Sequence, residues 1–373
     1  MSFPRMRKTG FALAAVSALL ILARAAVAEE PPPAKLPTEP APCAAQAVKP
    51  IEAAVAPRLV EFAVSPFPYE GKVPVDGKPF LDYDKNGQRG HTSPRGSLHL
   101  EADAYNDTRS LLYLPAGFDL SHPEKALIVV FFHGNYARLE QDVERRQRVP
   151  QQLAASGLNA ALVAPQFAVN IADSSAGKFW DDGVFGQYLK EAAKHLAELR
   201  NEPCTEAIFE RIGVVLVAYS GGYNPAAYAL AVGGADPRIR GVILLDALYG
   251  ETDKFSHWIA ESAAAARRAF FFSAFSGSSR PENLELQRQL TEQHIDFDEA
   301  PKPLQLKQGG ITFLFAGPDI PHKDFVTSAW VSDPLKAALS AIEGFRIAVK
   351  PAHPLSPRKA RPAAHDGKPP PAR

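Results

Sequence analysis

Residues 211–227, RIGVVLVAYSGGYNPAA, constrain this chain more than any other stretch. Ile212 to Ala218 is a continuous apolar, β-branched run of the kind that forms a strand buried on both faces. It stops at Ser220. Gly221 and Gly222 follow at once, and Pro225 to Ala231 then favours helix. A buried strand, a very tight turn and a helix are therefore expected, with a serine hydroxyl at the apex. The flanking positions must be small, because strand and helix cross closely there. Ala218-Tyr219-Ser220-Gly221-Gly222 meets that requirement, with alanine in the first small position. The competing reading of Ser220 is a turn residue that only satisfies backbone groups.

The same rhythm recurs along the chain. Continuous apolar strands are expected at Ala126–Phe132, Asn159–Ala164, Val242–Leu245, Ala269–Phe275 and Ile311–Ala316. Between them lie helical patterns at Tyr136–Ser156 (interrupted by Pro150), Phe185–Arg200, Lys254–Arg268, Glu282–Gln293 and Ser328–Ile342. Alternating strands and helices imply an α/β fold, a mostly parallel central sheet with helices on both faces. Ahead of this alternation, Leu59–Val64 reads as a first strand and residues 67–96 as turns and loop. Ser97–Leu100 and Arg109–Leu114 read as a strand pair around a turn at Asn106-Asp107.

The ends differ from the body. Arg5, Arg7 and Lys8 precede the apolar run Phe11 to Ala23, and Ala26-Val27-Ala28 offers a small-x-small cleavage site. Residues 1–28 are therefore expected to be a signal peptide, with an uncleaved membrane anchor as the alternative. A Pro/Ala-rich linker over 29–57, a folded domain over 58–348 and a disordered, mildly basic tail over 349–373 complete the expected organisation. Export to the periplasm or medium would place the chain where disulfides form. Cys43 and Cys204 would then either pair or remain as free thiols. Formal net charge is zero, which argues against nucleic acid as a partner. Membrane contact is expected only through the signal or anchor. Neither Cys-x-x-Cys nor His-Glu-x-x-His occurs, so neither of these metal-binding patterns is present.

In a parallel sheet, ligands bind beyond the carboxyl ends of the strands. There the sequence places His133-Gly134-Asn135-Tyr136, then Ser220, then Asp246 and Tyr249, then Asp319 and His322. A serine hydroxyl needs a base to take its proton. Histidine has a suitable pKa, and a carboxylate can hold the imidazole in one tautomer. An oxyanion needs fixed N–H donors; the backbone of Gly221 and of Asn135 or Gly134 stands in position to supply them.

These features resemble the α/β-hydrolase family over residues 59–347. The likeness is carried by LYLPAGF at 112–118, FFHGN at 131–135, VAYSGG at 217–222, LLDALYG at 244–250 and PHKDF at 321–325. The resemblance implies an α/β-hydrolase fold, a nucleophile at Ser220 in a nucleophile elbow, and a base at His322. It makes His133 the structural histidine of the oxyanion turn, and it implies no metal or organic cofactor. A similar HGN turn occurs in haloalkane dehalogenases, but their nucleophile is an aspartate, where this chain has Ser220. The acid is open between Asp246, at a strand end, and Glu282, because SGSSR at 276–280 holds no carboxylate where the family usually places one. Asp246 is preferred, since a residue at a strand end has a fixed reach. Tyr136, Tyr219, Tyr249 and Trp180 are the candidates for substrate contact, although Phe179 and Trp180 would serve equally to anchor their loop to the core.

The expected function is an exported serine hydrolase cleaving a carboxylic ester, small or polymeric, through an acyl-serine intermediate. An amidase or peptidase acting on cell-envelope material, and a catalytically silent ligand-binding protein of the same fold, are the alternatives. Oligomeric state is not assigned.

Overall fold

The structure is a computed structural model and describes residues 43–44, 47–301 and 303–347. The expected signal peptide and tail, 1–28 and 349–373, lie outside the described residues.

The chain builds a mostly parallel sheet of nine strands. Its long members are β1 (Val55–Glu61), β2 (Arg109–Leu114), β3 (Leu127–Phe132), β4 (Ala160–Pro165), β5 (Gly213–Tyr219), β6 (Ile239–Leu245), β7 (Phe270–Ser276) and β8 (Ile311–Gly317). Their order across the sheet is β1-β2-β4-β3-β5-β6-β7-β8, closed at the far edge by the two-residue strand Asp298–Glu299. Only β1 with β2 and β2 with β4 are antiparallel.

The continuous apolar runs follow from this layering. Along β3, Ile128, Val130 and Phe132 pack into the core on one face, while Leu127, Val129 and Phe131 pack into the core on the other. Each such buried side chain contributes about 1.5–3 kcal/mol relative to exposure. The first face is covered by α2 (Val184–Leu199), α3 (Tyr223–Ala231), α4 (Thr252–Ala264) and α5 (Arg280–Glu292). The second face is covered by a π-helical stretch, Leu139–Arg146, by α1 (Val149–Ser156) and by α6 (Pro334–Ala341).

The expected helix over 328–342 is shorter than its pattern. Asp333, with φ at 56°, precedes Pro334, and helix begins only there. A proline tolerates the first helical turn but pushes the residue before it out of helical geometry.

The expected pairing of Ser97–Leu100 with Arg109–Leu114 does not form. β2 is buried almost throughout and is flanked by β1 and β4. Leu98–Leu100, half exposed, instead joins Tyr83–Lys85 and Gln88–Thr92 in a small antiparallel sheet. That sheet occupies part of the region read as loop.

The end of the stretch read as linker is also structured. Val48 is buried, β1 starts at Val55, and Ile51 exchanges backbone bonds with Phe118 (2.9 Å) and Gly117 (2.7 Å). A Cys43–Cys204 disulfide, with Cα atoms 5.0 Å apart, ties this arm down.

Candidate active site

Register brings the site together. Tyr219 on β5 pairs with Leu245 on β6, so the next residues, Ser220 and Asp246, emerge side by side at the carboxyl rim. Leu245 also pairs with Ala274 of β7, and the Asp246 N–H donates to the Ala274 carbonyl at 2.8 Å. Both residues leave the sheet sharply, Ser220 with φ at 55° and Asp246 with φ at 45°. Non-glycine residues pay a steric penalty in that region, and such strain collects at functional turns. His322 arrives on a short turn, His322–Asp324, after β8.

The three side chains form one hydrogen-bonded line. His322 Nδ1 lies 2.6 Å from Asp246 Oδ2, and His322 Nε2 lies 2.7 Å from Ser220 Oγ. An ionised carboxylate only accepts, so the imidazole proton sits on Nδ1 and Nε2 accepts the serine proton. The Tyr219 ring stacks on His322, with centroids 5.2 Å apart, and its hydroxyl donates to the His322 carbonyl at 3.3 Å. Tyr219 is buried, so it holds the imidazole from below. Burial pushes its phenol up to about 12.

Asp246 is fully buried. It accepts from the Ser276 N–H at 2.9 Å, from the Ser276 hydroxyl at 3.0 Å and from the Ser279 hydroxyl. Tyr249 adds a hydroxyl 3.2 Å from Oδ2, which also lies 3.2 Å from His322 Nδ1. Burial alone would push this carboxyl up; hydrogen bonds from His322, Ser279 and the Ser276 N–H outweigh it and hold the group below the usual carboxylate range. The serines at and just past the end of β7 thus surround an acid that stands just past the end of β6. Glu282 lies in the first turn of α5, outside this line of hydrogen bonds.

Gly134 packs directly on the serine. A Cβ there would lie 2.6 Å from Ser220 Cβ and 3.1 Å from its Oγ. Gly221 is equally confined: a Cβ would meet Ser174 Oγ at 2.5 Å and Asn135 Oδ1 at 2.6 Å. Gly221 opens the turn into α3, where N–H groups lack intrahelical partners. Asn135, Gly221, Ser220, His322 and Tyr249 line one cleft of about 320 Å³.

His133 is buried. Its Nε2 accepts the Phe167 N–H at 2.9 Å, which leaves its proton on Nδ1, 2.8 Å from the Gly134 carbonyl. Burial pushes its pKa down to about 4, so it is a neutral brace for the turn that follows β3.

Of the aromatic candidates, Tyr249 lines the cleft. Trp180 lines an adjoining cleft and donates to Asn224 at 3.1 Å, while its neighbour Phe179 is core. Tyr136 is 59% exposed and does not line the serine's cleft. Sequence reading passed over Ser174, Tyr223 and Arg95, which also line it. It also passed over the acid's serine donors, whose one visible signal was the density of serine after β7.

No protein-family model matches the chain, and no curated protein sequence matches it. Several solved structures are similar. A feruloyl esterase module from Clostridium thermocellum, complexed with sinapinate, is 14% identical; the match covers 75% of this chain and 96% of that one, with a TM-score of 0.40. An S-formylglutathione hydrolase from Agrobacterium tumefaciens is 11% identical over 69% of this chain and 94% of its own, with a TM-score of 0.38. An esterase from Pyrococcus furiosus is 11% identical over 70% and 91%, with a TM-score of 0.34. The sheet order, the serine turn after β5 and the histidine turn after β8 give this chain the α/β-hydrolase fold.

Proposed function

We propose that the protein is a serine hydrolase that cleaves carboxylic esters through an acyl-serine intermediate. The observation that carries this reading is the unbroken line Ser220 Oγ–His322–Asp246, with separations of 2.7 and 2.6 Å. In the first half-reaction, His322 Nε2 takes the Ser220 proton as Oγ attacks the ester carbon. Asp246, kept ionised by its donors, stabilises the imidazolium and fixes its ring. The N–H groups of Gly221 and Asn135 receive the negative oxygen. His322 then protonates the departing alkoxide and the ester C–O bond breaks. Water repeats the sequence on the acyl-serine, releasing the acid and restoring Ser220.

Export is part of the same reading. The basic, apolar and small-residue pattern of 1–28 and the Cys43–Cys204 disulfide both support an oxidising destination.

The test is labelling with a fluorophosphonate probe, followed by peptide mapping. The expected result is modification at Ser220, abolished in Ser220→Ala and in His322→Ala, with hydrolysis of short-chain aryl esters lost in the same variants. Full turnover by folded Ser220→Ala protein would refute the assignment.

A further inference from the structure

The cleft around Ser220 carries a strong charge asymmetry. Among the residues that line it, Arg95 is the one whose side chain is permanently charged at neutral pH. Arg95 stands on the turn between Gln88–Thr92 and Leu98–Leu100, whose backbone is closed by Ser93 N–H to Ser97 O at 2.9 Å and Gly96 N–H to Ser93 O at 2.8 Å. The guanidinium forms no ion pair or hydrogen bond among the described residues. Arg89 on the same small sheet behaves differently, pairing with Glu70 at 2.7 Å and Glu101 at 3.4 Å. The field of Arg95 nonetheless reaches into the cleft. At the Tyr223 phenol it opposes the upward push of burial, Glu251 and Glu282.

The neighbouring cleft has the opposite sign. It is about 510 Å³ and shares Pro94, Ser174 and Tyr223 with the first, so the two form one groove. Asp82 and Asp173 line it, together with Glu251, whose carboxylate is paired with Lys254 at 2.5 Å. Its lysine, Lys78, is already paired with Asp76 at 2.7 Å. Asp173 is buried and accepts from the Tyr105 hydroxyl at 2.6 Å and the Ser175 N–H at 2.8 Å. An anionic group on a substrate would be repelled from that end and attracted to the Ser220 end.

We propose that Arg95 is a specificity residue that selects esters bearing a carboxylate close to the scissile bond, with the uncharged or cationic remainder of the molecule lying toward Asp82 and Asp173. The proposal rests on the hydrolase reading above. Arginine suits the task, since its planar fork binds a carboxylate through two N–H donors.

Two near-isosteric ester pairs test it: 4-acetoxybenzoate against 4-acetoxybenzamide, which puts the carboxylate on the alcohol side, and monomethyl adipate against the methyl ester of adipic monoamide, which puts it on the acyl side. The readout is the ratio of kcat/KM, anionic over neutral, by pH-stat at low salt. Arg95→Gln is expected to lower that ratio about tenfold for at least one pair, the scale of one partly exposed charge-assisted contact. Arg95→Lys is expected to keep most of it. Raising salt to about 0.5 M should lower the wild-type ratio and leave that of Arg95→Gln nearly flat. A ratio in Arg95→Gln within twofold of wild type, or higher, on both pairs would overturn the proposal while leaving the hydrolase reading intact. Failure of the wild type to hydrolyse any of the four esters would instead remove the hydrolase reading, and this proposal with it.

Discussion

Replacing Asp246 by asparagine separates the two carboxylates that the sequence offered as the acid. The amide would have one acceptor and one donor where the carboxylate has two acceptors. On the Oδ1 side, the Ser276 N–H at 2.9 Å and the Ser279 hydroxyl both demand an acceptor. The amide oxygen must therefore turn to them, and the NH₂ faces His322 Nδ1, 2.6 Å from the present Oδ2. Two donors cannot share that gap, so the imidazole proton moves to Nε2. Nε2 then donates to Ser220 Oγ across the same 2.7 Å, and the base lone pair is gone. Loss of the correct tautomer costs about 10⁴ in kcat, about 5.5 kcal/mol of transition-state stabilisation. The assay is ester hydrolysis at pH 7 by wild type, Asp246→Asn and Glu282→Gln, with near-ultraviolet circular dichroism to establish folding. Asp246→Asn should fall by about 10³–10⁴, and Glu282→Gln by less than about threefold. A folded Asp246→Asn enzyme within tenfold of wild type would refute the reasoning, decisively so if Glu282→Gln were the crippled variant.

Gly134→Ala should reduce kcat by about 10² or more while the protein still folds, because the new Cβ would press within 2.6 Å of Ser220 Cβ and displace the nucleophile; kinetics on a purified, folded variant checks this. His133 sets an acid limit on stability. Its folded value of about 4 lies below the unfolded value near 6.5, so the unfolded chain binds the extra proton in that interval. Its contribution is complete above about pH 6.5 and falls by about 3 kcal/mol by pH 4. Urea midpoints at pH 7 and 4.5 should therefore converge in His133→Gln relative to wild type, and an equal pH slope in both would count against the neutral brace. Breaking the disulfide, which closes a separation of 161 residues, removes up to about 5 kcal/mol on the chain-entropy account. Cys43→Ser should lower the denaturant midpoint accordingly and leave the probe reactivity of Ser220 in the folded state.

The sheet was legible because its strands are buried on both faces, which writes unbroken apolar runs such as LIVVFF into the sequence. Ser220, Asp246 and His322 were legible for a related reason: each stands just past one of those runs, and position at a strand end needs no knowledge of distant contacts. The strands Tyr83–Lys85 and Gln88–Thr92 were not, because they are short and largely polar and carry no alternation to read, and the strand expected at Ser97–Leu100 was therefore given the wrong partner. The hydroxyls around Asp246 escaped notice because they come from a different strand than the acid they serve. SGSS looks like a missing carboxylate until β6 and β7 are seen side by side. Arg95 had no local signature; only the placement of its turn at the cleft distinguishes it from any other surface arginine.

Ser220 and Asp246 stand on neighbouring strands close in sequence, whereas the base follows the serine by 102 residues and depends on β8 pairing with β7. The hydroxyl and the carboxylate therefore have their base only when the last long strand is in place. On the hydrolase reading, a C-terminally clipped chain that lacks β8 and the turn after it would keep Ser220 and Asp246 but lose His322, and would hold an ordinary alcohol at that rim.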